Sequence, residues 1–233
     1  MKIVILVAMD KEFGQLKGLL DGAKAEEHSH YVFVKGTMGK HEVTLMKCGI
    51  GKVNAAVGAT VAIEAYRPDL VVSSGCAGGA DTTLHVADCV VASACAYHDV
   101  YCGAEVTYGQ VMGMPATFVT PQNLVEKALA LNNEPAETRL PHVRSGLTVT
   151  GDWFVDSREK MQTIVNNFPD ATAVDMESCA IAQACHIMNV PFVSFRMISD
   201  VPLTDHHAGQ YFDFWENIAQ YSFEVTRHFI ESL

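Results

Sequence analysis

At 233 residues, with 49% hydrophobic and only 18% charged side chains, the chain has ample apolar material for one large core and is expected to form a single domain over 1–233. It carries 16 basic against 27 acidic residues, a net charge of −11, with no Lys/Arg-rich stretch, so neither nucleic acid nor an anionic membrane is an expected partner. The seven cysteines form an odd set without a C-x-x-C pair, the pattern of reduced thiols in a cytoplasmic protein, and no apolar run approaches a membrane span.

The opening MKIVILVAMDKEF is too short in its apolar part, and too acidic after it, for a signal peptide. Ile3 to Met9 reads as a buried strand. Phe13, Leu16, Leu19 and Leu20 then recur at helical spacing, with Asp10 as N-cap and Glu12 in the first turn, next to the strand's carboxyl end. An acid there also complements the helix dipole, so Glu12 alone is ambiguous. Tyr31–Thr37 and Val43–Cys48 read as an antiparallel pair turning through residues 39–42. Gly49-Ile50-Gly51-Lys52 opens a small-residue helix to about Tyr66. It matches neither a dinucleotide fingerprint, which needs glycine where Asn54 stands, nor a Walker loop, which needs glycine at Met46 and Ser/Thr at Val53. Its glycines suit a tight turn that something approaches closely.

Pro68–Ser74 is a further buried strand, followed by Gly75-Cys76-Ala77-Gly78-Gly79, a composition suited to a loop whose amides face a ligand. Leu84–Tyr97 gives another strand region ending in Tyr97-His98-Asp99. Residues 100–116 are irregular, and a loop this long is usually functional or covers an interface. A helix over Asn123–Leu131, a strand over Ser145–Thr150 and a helix over Ser157–Phe168 follow. Between the last two, Trp153 and Phe154 stand where they could stack on a flat ligand or pack in the core.

In residues 171–200 an apolar strand ends on Asp175-Met176-Glu177. A helix from Ser178 to about Met188 follows, and a second apolar strand, Phe192–Ile198, ends on Ser199-Asp200. As a strand–helix–strand crossover, this places carboxylates at the carboxyl ends of two strands of one sheet, the edge where open α/β sheets bind ligands. Capping of the next helix is the rival explanation for these acids. In the loop after Asp200, the spacing of Asp205, His206 and His207 fits no closed metal site. Tyr211–Leu233 is an aromatic-rich amphipathic helix.

Together these pieces resemble the 5′-methylthioadenosine/S-adenosylhomocysteine nucleosidases of the nucleoside phosphorylase superfamily, nearly end to end. The resemblance is carried by Ala8-Met9 with Glu12, GIGKVNAA from Gly49, the Gly75–Gly79 stretch, Tyr97-His98-Asp99, Gly151-Asp152 with Phe154, Met176-Glu177, and Arg196 with Ile198-Ser199-Asp200. It implies an α/β fold with a mixed central sheet flanked by helices, a homodimer, and a small-molecule nucleoside substrate without metal or organic cofactor. By the same resemblance Asp200 would protonate or hydrogen-bond purine N7, with Ser199 orienting it, and Glu12 would hold and deprotonate the attacking water. Glu177 would hold the ribose hydroxyls, with Met176 against the sugar and Arg196 near the water and ribose. Phe154 would stack on adenine, Val155 would contact its edge, and Phe212 would close the pocket. Met9, Ile50, Ala77 and Gly78 complete the implied lining. In the related phosphorylases arginines bind phosphate, one of them just before the glycine stretch. Here Ser73 and Ser74 stand there and no arginine stands near Glu12, so water is the expected acceptor. Cys76, Asp175 and residues 100–108 depart from the family pattern. The last of these lines the neighbouring subunit's 5′-substituent pocket in that family. The alternatives are a phosphorylase, a futalosine-type nucleosidase, or a non-catalytic nucleoside-binding module, which the presence of all three acids disfavours.

Overall fold

A computed structural model describes residues 1–28, 30–204, 209–218 and 223–233. Its strands join in one mixed sheet with helices on both faces. Strand β1 (Lys2–Val7) shows why. Ile3, Ile5 and Val7 enter one core and Val4 and Leu6 the other. Alternate side chains of a strand point to opposite faces, so a run without a polar break needs cover on both. One core takes Leu16 of α1 (Asp10–Gly18), Leu124 and Val125 of α3 (Gln122–Ala130), and Phe229 and Ile230 of the C-terminal helix Glu224–Glu231. The other takes the alanines and cysteines of α2 (Lys52–Tyr66) and α5 (Ser178–Ile187), small enough to let these two helices pack against each other. The helix α4 spans Arg158–Asn167 with the Ser157 hydroxyl accepting from the Lys160 amide as its cap.

Beside β1 lie β4 (His41–Lys47), parallel, and β3 (Tyr31–Met38), antiparallel to β4. The edge strand β2 (Asp21–His28) has every residue exposed, so no apolar alternation marks it in the sequence. On the other side of β1 is β5 (Leu70–Gly79), which shapes the rest. Its first half pairs with β1, and its length pairs in parallel with β10 (Phe192–Asp200). Gly78 and Gly79 pair antiparallel with β9 (Ala171–Asp175). Next to β10 is β6 (Cys89–Tyr97), extended by the short β7 (Phe118–Val119); β6 pairs with β8 (Val143–Thr150), and β8 with β9. The strands β5, β10, β6, β8 and β9 thus close into a ring, and β1, β4, β3 and β2 extend from β5 as an open sheet.

Two expectations change. Gly75–Gly79 is the second half of β5 rather than a loop, its glycines admitting neighbours at close range: a Cβ on Gly75 would stand 2.8 Å from Glu12 Oε1. And β9–α5–β10 is no parallel crossover, since β9 runs opposite to β10 and β5 separates them. Smaller differences are that β6 begins at Cys89, and that Met9 rather than Asp10 precedes α1 as its cap residue. The terminal helix is described as a helical segment over 210–218 and the helix Glu224–Glu231. The Asp205, His206 and His207 stretch lies outside the described residues. Among the described residues, no helix is long and apolar enough to cross a membrane.

Candidate active site

The ring opens on a cavity of about 260 Å³, bounded by the start of α1, the second half of β5, the residues after β8 and the ends of β9 and β10. Every site residue expected from the sequence except Arg196 lines it: Met9, Glu12, Ile50, Ala77, Gly78, Phe154, Val155, Met176, Glu177, Ser199, Asp200 and Phe212.

Glu12, the third residue of α1, is 2% exposed. Its Oε2 accepts from the amides of Ala8 (2.9 Å) and Met9 (3.0 Å), and its Oε1 from the amide of Cys76 (3.0 Å). The two readings are compatible: the carboxylate that accepts from the Met9 amide at the start of α1 also faces the cavity. Burial raises its pKa above that of an ordinary glutamate, while Arg196 and the three amides pull the other way.

Arg196 sits behind the cavity wall rather than in it. Its Nε donates to Asp175 Oδ2 (2.6 Å), Nη2 to Ser73 Oγ (2.9 Å) and Nη1 to the Phe195 carbonyl (3.2 Å). Burial works against its charge, but Asp175, Glu177 and Glu12 outweigh it and keep the guanidinium protonated. Arg196 was expected near the water and ribose; it is not among the lining residues, but its Nη1 and Glu12 Oε1 stand 3.3 Å and 2.8 Å from where a Cβ on Gly75 would lie. The expectation of no arginine near Glu12 is corrected, because β10 brings Arg196 to it across β5. Asp175 also accepts from Thr150 Oγ1 (2.5 Å), the Ser178 amide (3.1 Å) and the Ser178 hydroxyl. Removing one partner of such a buried pair strands the other charge, a loss of about 3–5 kcal/mol.

Glu177 precedes α5 and its Oε1 accepts from the Gly51 amide at 2.9 Å. Burial first, then the neighbouring Asp175, raise its pKa; Arg196 and the Gly51 amide lower it. On β10 the register slips between Ile198, opposite Ala77, and Asp200, opposite Gly78. Consecutive strand residues ordinarily face opposite ways; this bulge lets both Ser199 and Asp200 line the cavity. The Ser199 hydroxyl donates to Asp200 Oδ1 at 2.7 Å. The Cys76 thiol, raised well above 9.0 by burial and then by Glu12, stays protonated.

The Phosphorylase superfamily profile matches residues 2–231. A 5′-methylthioadenosine/S-adenosylhomocysteine nucleosidase of Bacillus subtilis (strain 168) is 36% identical over 237 residues, covering 100% of both chains. Among solved structures, a nucleosidase of this kind from Colwellia psychrerythraea 34H in complex with adenine has a TM-score of 0.90 and 35% identity, covering 100% of this chain and 96% of that one. The S-adenosylhomocysteine nucleosidase of Streptococcus pyogenes in complex with 5-methylthiotubericidin has a TM-score of 0.90 and 30% identity, covering 100% and 97%. The chain belongs to the 5′-methylthioadenosine/S-adenosylhomocysteine nucleosidase family.

In this member of the nucleosidase family the cavity rim is aromatic. Phe154 meets Tyr211 edge-on at 5.8 Å, and Tyr211 meets Phe212 at 5.7 Å. Tyr211 was not singled out from the sequence, and Asp175 was noted as a strand-end acid but not as the partner of Arg196. A signal for the second was present: an arginine in the middle of the apolar FVSFRMISD strand requires a buried acid. Trp153, also in the lining, packs edge-on against His98 at 5.2 Å. His98 is 2% exposed, and neither ring nitrogen has a hydrogen-bond partner among the described residues. Burial lowers its pKa below 6.5, with Asp99 and Asp175 acting in the opposite sense. The unfolded chain takes up a proton near pH 6.5 that the folded ring refuses, so this contribution to stability is full above 6.5 and is lost as the pH falls. His98→Leu should therefore flatten the decline of the unfolding free energy, measured by urea titration, between about pH 7 and about pH 5, by up to about 1.4 kcal/mol per pH unit. An unchanged slope would clear His98 of that role.

Proposed function

We propose that the protein hydrolyses the N-glycosidic bond of 5′-methylthioadenosine, S-adenosylhomocysteine or similar 5′-substituted adenosines, releasing adenine and the free 5′-thioribose. The observation that carries this reading is a cavity lined by Glu12, Glu177 and Asp200, with no lysine, arginine or histidine lining it among the described residues. Cleavage passes through an oxocarbenium-like sugar, which asks for an acid at the leaving purine and a base for water. Asp200, oriented by Ser199, protonates N7 of adenine. Glu12 accepts a proton from the water that attacks C1′. Glu177 accepts from the ribose hydroxyls, with Met176 against the sugar. Phe154 stacks on the base, Val155 meets its edge, and Met9, Ile50, Ala77, Gly78 and Phe212 complete the enclosure. Among the described residues, a phosphate acceptor would meet these carboxylates without a lining cation to neutralise it, since Arg196 is already committed to Asp175.

The enzyme acts as a cytoplasmic homodimer built from a single nucleosidase domain over 1–233. Support for the dimer comes from α2, which exposes Val53 and Val57 one turn apart, and from exposed Tyr101 and Met112 in the 100–116 stretch. None of residues 100–116 lines the chain's own cavity, in keeping with their lying near the neighbour's site.

Adenine release from methylthioadenosine, measured with and without phosphate, tests the reaction. Equal rates with free 5-methylthioribose as product are expected. A phosphate-dependent rate yielding a sugar 1-phosphate would overturn hydrolysis in favour of phosphorolysis.

A further inference from the structure

Three stretches that stand out in the sequence but are not among the cavity's lining residues come together in space: Gly51-Lys52, His98-Asp99 and Gly151-Asp152. The Lys52 ammonium donates to both carboxylate oxygens of Asp99 at 2.7 Å, over the Tyr97 ring at 5.5 Å. Asp99 Oδ2 also accepts from the Asp152 amide (2.9 Å), and Asp152 Oδ1 accepts from the Lys52 amide (2.8 Å). These bonds form a closed circuit joining the start of α2 to the residues after β6 and β8. Lys52 and Asp99 side chains are 23% and 10% exposed, so the pair is shielded and more than a surface ion pair.

Gly51 is what the circuit holds. Its φ of 93° is a conformation that L side chains rarely adopt, and a Cβ there would stand 3.0 Å from Asp152 Oδ1. Its amide is the donor that fixes Glu177 Oε1, and the preceding residue, Ile50, lines the cavity. We infer that Lys52, Asp99 and Asp152 are positioning residues: by locking the Gly51 turn they set the carboxylate of Glu177 against the ribose hydroxyls. This rests on the ribose role given to Glu177 above.

The test compares kcat/KM of the wild type, D99N, K52M, K52R and E177Q on methylthioadenosine and on its 2′-deoxy and 3′-deoxy counterparts, with urea midpoints to exclude unfolding. If the circuit acts through Glu177, D99N and K52M lose roughly tenfold to a hundredfold on methylthioadenosine. The loss shrinks to within roughly threefold on at least one deoxy substrate, as it does for E177Q, because the hydroxyl that Glu177 serves is already gone. K52R, which keeps the charge, recovers most of the activity. D152N serves where D99N does not fold. Losses equal on all three substrates, or no loss, beside a hydroxyl-dependent E177Q would overturn the positioning role alone. An E177Q indifferent to the hydroxyls would overturn the ribose assignment of Glu177, and this inference with it.

Discussion

Asp200→Asn is expected to lower kcat on methylthioadenosine by roughly 10³- to 10⁴-fold with the urea midpoint close to wild type. Asp200 ends β10 and is only partly buried, so the fold depends little on its charge. Asparagine can still accept the Ser199 hydroxyl through Oδ1, as the carboxyl does at 2.7 Å, and its amide can still hydrogen-bond the purine. What it cannot do is transfer a proton to the leaving base. Binding should therefore persist while turnover fails, a fall in kcat with KM little changed. A variant turning over near the wild-type rate would remove Asp200 as the acid.

Glu12→Gln should lose roughly 10³-fold in kcat/KM, about 4 kcal/mol of transition-state stabilisation. Glutamine cannot accept the water's proton, and it cannot reproduce all three backbone contacts. With its carbonyl oxygen facing the Ala8 and Met9 amides, its NH₂ meets the Cys76 amide, donor against donor. That mismatch costs about 1–3 kcal/mol of stability, offset in part because a neutral side chain is easier to bury. The wild-type pH profile gives an independent check. Glu12 must be ionised to act, and burial raises its pKa, so the acidic limb of kcat/KM should lie above the 4.5 of an ordinary glutamate. A limb at or below 4.5, or a Glu12→Gln variant with near-normal activity, would displace Glu12 as the base.

The elements that follow from local pattern were legible: β1 from its unbroken apolar run, α4 from Ser157 and its spacing, α5 from its small residues. The strand-end acids and the glycine stretch pointed to the cavity because acids right after buried strands demand a reason. The ring was not legible, since a closed sheet depends on pairings between strands far apart in sequence, such as Gly78 with Val174. Its three glycines made Gly75–Gly79 read as a loop, and treating the sheet as open made β9–β10 a parallel crossover pair. The partners of Arg196 were not legible for a related reason: a resemblance transfers a residue's neighbourhood, but that its Nε meets the buried Asp175 is decided by packing. The edge strand β2 escaped because a strand with neither face buried leaves no periodic signature.

The pocket is assembled from two kinds of chain. Glu12, Glu177 and Asp200 stand at the ends of paired strands and capped helices, while Phe154, Val155, Tyr211 and Phe212 come from the stretch after β8 and from the helical segment over 210–218. Phe154 and Phe212 are more than half exposed and carry little of the core. Replacements there cost the fold little and leave the acids where they are, so the range of accepted substrates is free to drift over evolutionary time, or to be redrawn by engineering, while the bond-breaking apparatus is inherited intact.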